Sequence, residues 1–364
     1  MVFCISVGTF DIKYFIYCAL IAISELYINF VIYKYDETIL NDHQIFGIFC
    51  YYFGYLLNII PTWFVNQDYL DNIPDDKKLS IKDILKFFII YTILLLIEVI
   101  EIISNAIDSD DEQKLGYKDG YLLFLILIMF ILPKFISKIV FYKHQKISFI
   151  GFILIEVIKS IVFFIKKSNF QINDFLIIIL NIFFSLLLAV YYIYIGRLMK
   201  YKYISPYKCS FLVGVGFVPL IIIIYFIISF TNDFDNIFDL FKDFEDLKLS
   251  NTILLISYPL ASGLLGLLLF KTINDFTLFH LNIPFIIKKF IREVTRGEEN
   301  IFFLISSFSL ELIMIFVFLE IIEINFCGLN ENLKKNIKKR AISESSLINK
   351  DDCAQLAEKN QSIN

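Results

Sequence analysis

The sequence predicts an all-α, polytopic transmembrane bundle of about ten helices. Composition points there first: 58 % of the 364 residues are hydrophobic and 19 % charged, against roughly 45–50 % and about 25 % in ordinary globular chains. A mean hydropathy of +0.70 is more apolar surface than a water-soluble fold of this size hides. The third observation is arrangement. The apolar residues fall in continuous runs of the length, about 20 residues, that carries a helix across ~30 Å of hydrocarbon. Such runs are far longer than a barrel strand, and only helices satisfy their own backbone there.

Nine runs meet this standard: 12–34, 43–64, 84–105, 119–142, 147–166, 172–196, 207–230, 251–271 and 301–324. Turn-forming chemistry separates them, at Asn72–Asp76 around Pro74, at Ser104–Glu112, at Ser205 and Pro206, and at Thr231–Asp235. The first run reads as a retained span, because no basic stretch precedes Lys13 and no small-x-small site follows. Segment 276–295 is ambiguous: its first half is apolar and its second carries Lys288, Lys289 and Arg292. It reads as a short span or as an amphipathic helix on the headgroups. Ten spans are favoured, because the basic residues Lys334 to Arg340 would then follow the last helix into the cytosol. The chain thus divides into a transmembrane domain, 1–330, and a polar, partly disordered tail, 331–364. With the N-terminus in the cytosol, twelve Lys and Arg lie in inner loops and seven in outer ones, so an inside N-terminus is expected.

Charge and cysteine narrow the function. A net charge of −4 offers no basic field for nucleic acid. The six cysteines (Cys4, Cys18, Cys50, Cys209, Cys327, Cys353) stand singly without a Cys-x-x-Cys, which supports neither a zinc site nor a disulfide framework. No His-Glu-x-x-His, Gly-x-Ser-x-Gly or Walker lysine occurs. No catalytic residue, metal or cofactor is assigned, and the chain is read as a non-enzyme. His43, His144 and His280 sit at helix ends, where a headgroup-level role is expected.

The informative residues are carboxylates inside the runs, since a charge at the bilayer centre costs about 2.5–3.5 kcal/mol and needs protein, water or a partner. Glu25, Glu156 and Glu311 lie near mid-span, and Glu98 and Glu101 share a face of the third helix. Glu320 and Glu323 repeat that spacing on the last. One base is clearly intramembrane: Lys159, three residues from Glu156 and able to pair with it. Glu25, Glu98, Glu101, Glu156, Lys159 and Glu311 are therefore the candidate cavity-lining residues. Asn29, Asn58, Asn181, Ser185 and Ser257 read as interhelical hydrogen-bonding glue. Pro61, Pro133, Pro219 and Pro259 interrupt or cap spans. Ser262 and Gly266, with Gly263 between, give a small-xxx-small packing face, although 13 glycines in all argue against a bundle packed mainly through glycine.

Two details add a resemblance. His43-Gln44 and His144-Gln145 each open an apolar helix and lead to a small residue, Gly47 or Ser148, and the connector Tyr203–Tyr207 precedes the seventh helix. In these features, and in about ten short-looped helices, the chain resembles the drug/metabolite transporter superfamily, with its nucleotide-sugar and EamA-type carriers. The resemblance implies two inverted five-helix halves around a central cavity. The chain departs from the family pattern in its low glycine content and lack of a recognisable five-helix duplication, and no binding residue is carried over.

The expected function is secondary transport of a small solute, with the mid-depth acids binding a proton, a cation or a cationic part of the substrate. The expected partners are the lipid bilayer and a small-molecule or cation substrate. The alternative is a non-transporting receptor or scaffold whose buried acids are packing contacts. The two differ in what Glu-to-Gln changes do: loss of flux at normal abundance, or loss of abundance itself.

Overall fold

The computed structural model describes residues 4–7, 12–34, 43–64, 79–107, 142–166, 172–231, 237–245, 249–276, 278–281 and 301–325, with isolated positions at 125–132 and 283–294. In chain order the elements are strand β1 (Cys4–Val7), α1 (Ile12–Lys34), α2 (Gln44–Leu57), α3 (Ile59–Phe64), α4 (Ile81–Ile107), α5 (Lys143–Lys166), α6 (Ile172–Tyr201), α7 (Pro206–Thr231), α8 (Ile237–Glu245), α9 (Leu249–Asp275), a 3-10 turn (Leu278–Leu281), α10 (Ile301–Phe318) and strand β2 (Ile322–Asn325). Among the described residues four stretches are helical, long and apolar enough to cross a membrane: Ile45–Phe64, Ile182–Tyr201, Pro206–Phe230 and Asn251–Asp275.

Local chemistry sets the helix limits. Ahead of α4, the Asp83 N–H donates to the Ser80 hydroxyl at 3.2 Å, and the Ser80 N–H and hydroxyl donate to the Asp83 carboxylate at 3.2 and 2.7 Å. This reciprocal capping box satisfies donors that the first turn leaves open. Ser205 accepts from the Lys208 N–H at 3.2 Å, and Pro206 takes the first helical position, where no donor is needed. Between α2 and α3 the chain breaks at Asn58, whose N–H bonds back to the Tyr55 carbonyl at 3.2 Å. Pro61 accounts for the break: it has no N–H for the Leu57 carbonyl, and its ring crowds that carbonyl.

The chain divides into two compact units, 1–10 with 139–155 and 309–364, and 11–138 with 156–308. In the larger unit α2 packs between α7 and α9, and α1 lies against α9. Glycines permit the close crossings. A Cβ on Gly54 would meet the Pro259 carbonyl, the Ser262 hydroxyl and Gly263; one on Gly214 would meet the Leu56 backbone; one on Gly266 would meet the Tyr55 ring. Ser262 also donates to the Tyr51 carbonyl at 2.8 Å. One end of this unit is tied by Lys13 to Asp275 (2.7 Å), Lys202 to Asp83 (3.6 Å) and Lys271 over the Tyr207 ring (4.7 Å). At the other end His43 lies 3.0 Å from Asp243 of α8, and Phe46 meets Phe244 edge-on.

The smaller unit contains the ribbon of β1 and β2, antiparallel with Cys4 opposite Asn325 and Val7 opposite Ile322. The last helix ends in a Schellman-type cap. The Ile321 N–H reaches back to the Phe316 carbonyl and that of Glu320 to Val317, with Glu320 in the left-handed region at φ 61. The buried Glu320 carboxylate lies 3.4 Å from His144 Nε2, and Phe149 packs edge-on against Phe318.

Several sequence expectations change. The last helix stops at Phe318 rather than 324, so Glu320 and Glu323 do not share a helical face. The connector after α7 holds the short helix α8, which the run of acids obscured. Segment 276–295 opens with a 3-10 turn. Four of the expected runs, 43–64, 172–196, 207–230 and 251–271, hold the spans found among the described residues. Glycine, though scarce, is concentrated at the crossings of α2 with α7 and α9, so low total content did not mean low use. His43 and His144 stand at helix starts as expected and are buried there beside the carboxylates of Asp243 and Glu320. The run 119–142 is described at isolated positions only, and the tail 331–364 lies outside the described residues.

Candidate functional site

Six helical stretches of the larger unit share one property. The stretches 14–33, 44–64, 87–107, 172–196, 209–231 and 249–270 contain no Lys, Arg or His. They do contain acids and an unusual density of tyrosine. Where α2, α4, α6 and α7 meet, those tyrosines form a single cluster.

From α2, positions 51, 52 and 55 project Tyr51, Tyr52 and Tyr55, the first and last one helical turn apart, their hydroxyls separated by 3.5 Å. Tyr52 stacks on Phe217 of α7 (ring centroids 4.7 Å) and meets Tyr91 of α4 edge-on. Tyr91 meets Phe217 edge-on at 3.8 Å and Tyr191 of α6 at 4.5 Å. Tyr192 adjoins Tyr191 at 5.3 Å. The Tyr191 side chain is 3 % exposed, and its hydroxyl makes no hydrogen bond among the described residues. Such an orphaned group costs about 1–3 kcal/mol, and each one calls for a reason.

Glu25 of α1 is buried, 2 % exposed, near the middle of its helix. The cluster lies at mid-depth: Tyr51, Tyr191 and Phe217 each fall near the middle of an apolar span. One turn beyond Tyr55, the Asn58 amide donates to the Ser210 hydroxyl at 2.9 Å and to the Gly263 carbonyl at 3.1 Å. These bonds fix the broken helix against both neighbours.

The other sequence candidates fall into separate settings. Glu156 and Lys159 lie together on α5 at 3.5 Å, both largely buried, which is the pairing their spacing predicts. Glu311 is buried, 2 % exposed, and belongs to the smaller unit. Glu98 and Glu101 lie on α4, with side chains outside those described. Of the polar glue, Asn58 bonds as above and the Tyr27 hydroxyl pairs with Ser257 across α1 and α9; the side chains of Asn29 and Asn181 lie outside those described. Among the described residues no group of three or more His, Cys, Asp or Glu is placed to hold a metal ion.

The sequence reading passed over the tyrosines because aromatic residues are abundant along the whole chain. A usable signal existed: Tyr at 51, 52, 55, 91, 191 and 192 occupies the base-free interiors of apolar helices.

No model of a known protein family matches the chain, and no characterised protein matches it. The apolar helices and the buried polar cluster between them define a helical membrane protein.

Proposed function

We propose that the protein is a multi-pass secondary transporter of a small solute, with Glu25 and the tyrosine cluster as its working residues. One observation supports this reading: buried tyrosines of α2, α4 and α6 gather at mid-span, one turn from the interruption at Asn58, in a unit whose first helix carries the buried Glu25. Carriers bind substrate near the midplane beside discontinuous helices, because unwound backbone and short helix ends supply polar groups inside hydrocarbon. The end holding Lys13, Lys202 and Lys271 is the cytosolic one in this reading, following the excess of positive charge there. Glu156, already opposite Lys159, has a structural share in α5, and Glu311 serves its own unit.

Uptake into proteoliposomes tests the reading. Glu25→Gln should abolish flux at unchanged protein abundance, and Glu156→Gln and Glu311→Gln complete the series. Unaltered uptake in Glu25→Gln would defeat the proposal, whatever the other two variants do. The Asn58 bonds favour the second reading, a scaffold held by polar packing; there the same substitutions lower abundance together with any phenotype.

A further inference from the structure

We propose that the basic end of the larger unit binds the headgroups of anionic phospholipids, through Lys82 and Lys86 of α4 with Arg197 and Lys200 of α6. The inference stands apart from the transporter reading and needs only that the apolar helices lie in a bilayer.

Charge balance comes first. Asp83 and Asp275 are the carboxylates described at this end, and each already has a lysine: Lys202 at 3.6 Å and Lys13 at 2.7 Å. Lys82, Lys86, Arg197 and Lys200 are exposed, and no carboxylate pairs with them among the described residues. The opposite end has the reverse sign, where α8 carries Asp239, Asp243 and Glu245 against Lys242. An anion is thus drawn to one end only.

The bases also stand on fixed backbone. The capping box of Ser80 and Asp83 holds the first turn of α4. The Tyr194 hydroxyl donates to the Asp83 carbonyl at 3.0 Å, tying that turn to α6 just ahead of Arg197. The Lys202–Asp83 pair is a second tie between the same segments. The four bases therefore project from adjoining helix ends rather than from a loose loop.

The surface beneath them selects a lipid over a soluble anion. Lys82, Leu85, Lys86 and Ile89 follow the i, i+3, i+4, i+7 spacing of one helix face, which Ile93 and Leu96 continue. All of them are exposed among the described residues. A face that is basic at its tip and apolar over the turns that follow matches a molecule with a phosphate above and acyl chains below. A soluble phosphate would use the tip alone. Lysine stems lie along apolar surface while their ammonium groups reach headgroup level, and the flat Arg197 guanidinium suits two phosphate oxygens at once.

The test is lipid selectivity of the full chain in liposomes, read by electron spin resonance as the fraction of labelled lipid immobilised at the protein. The probes are phosphatidylserine and phosphatidylcholine carrying the same spin-labelled acyl chain. Phosphatidylserine should be preferred about threefold or more at low salt, with the preference shrinking at high salt. Changing Lys82, Lys86, Arg197 and Lys200 together to Gln should remove most of the preference, at an unchanged melting temperature in phosphatidylcholine. Lys82→Gln with Lys86→Gln should remove part of it, and Lys82→Arg with Lys86→Arg should keep it. Lys242→Gln, at the opposite end, should leave it unchanged. Equal immobilisation of the two lipids by the wild-type protein, or wild-type selectivity in the fourfold Gln variant, would overturn the inference. So would full displacement of labelled phosphatidylserine by glycerophosphoserine, the same headgroup without chains, which would assign the bases to a soluble anion.

Discussion

Tyr191 is the residue at which stability and function should part. Its ring is buried against Tyr91 and Tyr192, contacts that phenylalanine keeps. Tyr191→Phe is expected to change stability by no more than about 1 kcal/mol, while flux falls. A clear drop in melting temperature would show that the hydroxyl is structural. Asp83 makes the opposite case. The Ser80 hydroxyl, its backbone N–H and Lys202 hold the Asp83 carboxyl below the usual carboxylate range, against the pull of desolvation. A depressed folded pKa means the stabilisation is fully present above the unfolded value and is lost as pH falls through the folded one. Stability should therefore decline on acidification below the ordinary aspartate range. Asp83→Ala should remove that part of the decline and lower neutral-pH stability by about 1 kcal/mol, readable in melts across pH.

At the scale of elements, the break between α2 and α3 carries the mechanical part of the account. Pro61→Ala supplies an N–H for the Leu57 carbonyl and relieves a ring clash that disfavours a continuous helix by about 3 kcal/mol. The variant should melt higher and transport more slowly; undiminished flux would show that the break has no part in transport. Element positions were largely legible in the sequence, for a simple reason. A 20-residue apolar run has one stable form in hydrocarbon, so α1 matches its predicted run at both ends. Legibility failed where tertiary contacts decide. Residues 322–325 continue an apolar run but turn into a strand because β1, more than 300 residues earlier in the chain, pairs with them. The cap that ends the helix there uses Glu320 where a glycine would signal a stop. The site was legible in part. Glu25 and the Glu156–Lys159 pair follow from single-helix arithmetic, whereas the tyrosine cluster needs four helices brought together. No periodicity within one helix encodes that meeting.

For the whole molecule, the helix ends set the depth at which it sits in lipid. The chain's single tryptophan, Trp63, is 77 % exposed at the end of α3, next to Phe64 at 82 %. Tyr201 and Tyr203 are exposed between α6 and α7, and Phe238 and Phe241 on α8 at the opposite end. Aromatic residues at both ends of apolar helices form interfacial belts. Trp63 fluorescence in liposomes should be quenched most by bromine placed just below the headgroups. Strongest quenching by bromine near the acyl ends, or none from lipid at all, would contradict this placement.

The central claim is that Glu25, buried near the middle of α1, serves transport and is reached by solute in the working protein. Its most direct test is labelling by an apolar carbodiimide, which attacks protonated carboxyls within membranes, in the full-length protein in nanodiscs, with the modified residue mapped by mass spectrometry. The account expects Glu25 to be labelled in the wild-type protein, and Asp83→Ala, remote from it, to leave that labelling unchanged. A Glu25 left unmodified while other intramembrane acids react would contradict it.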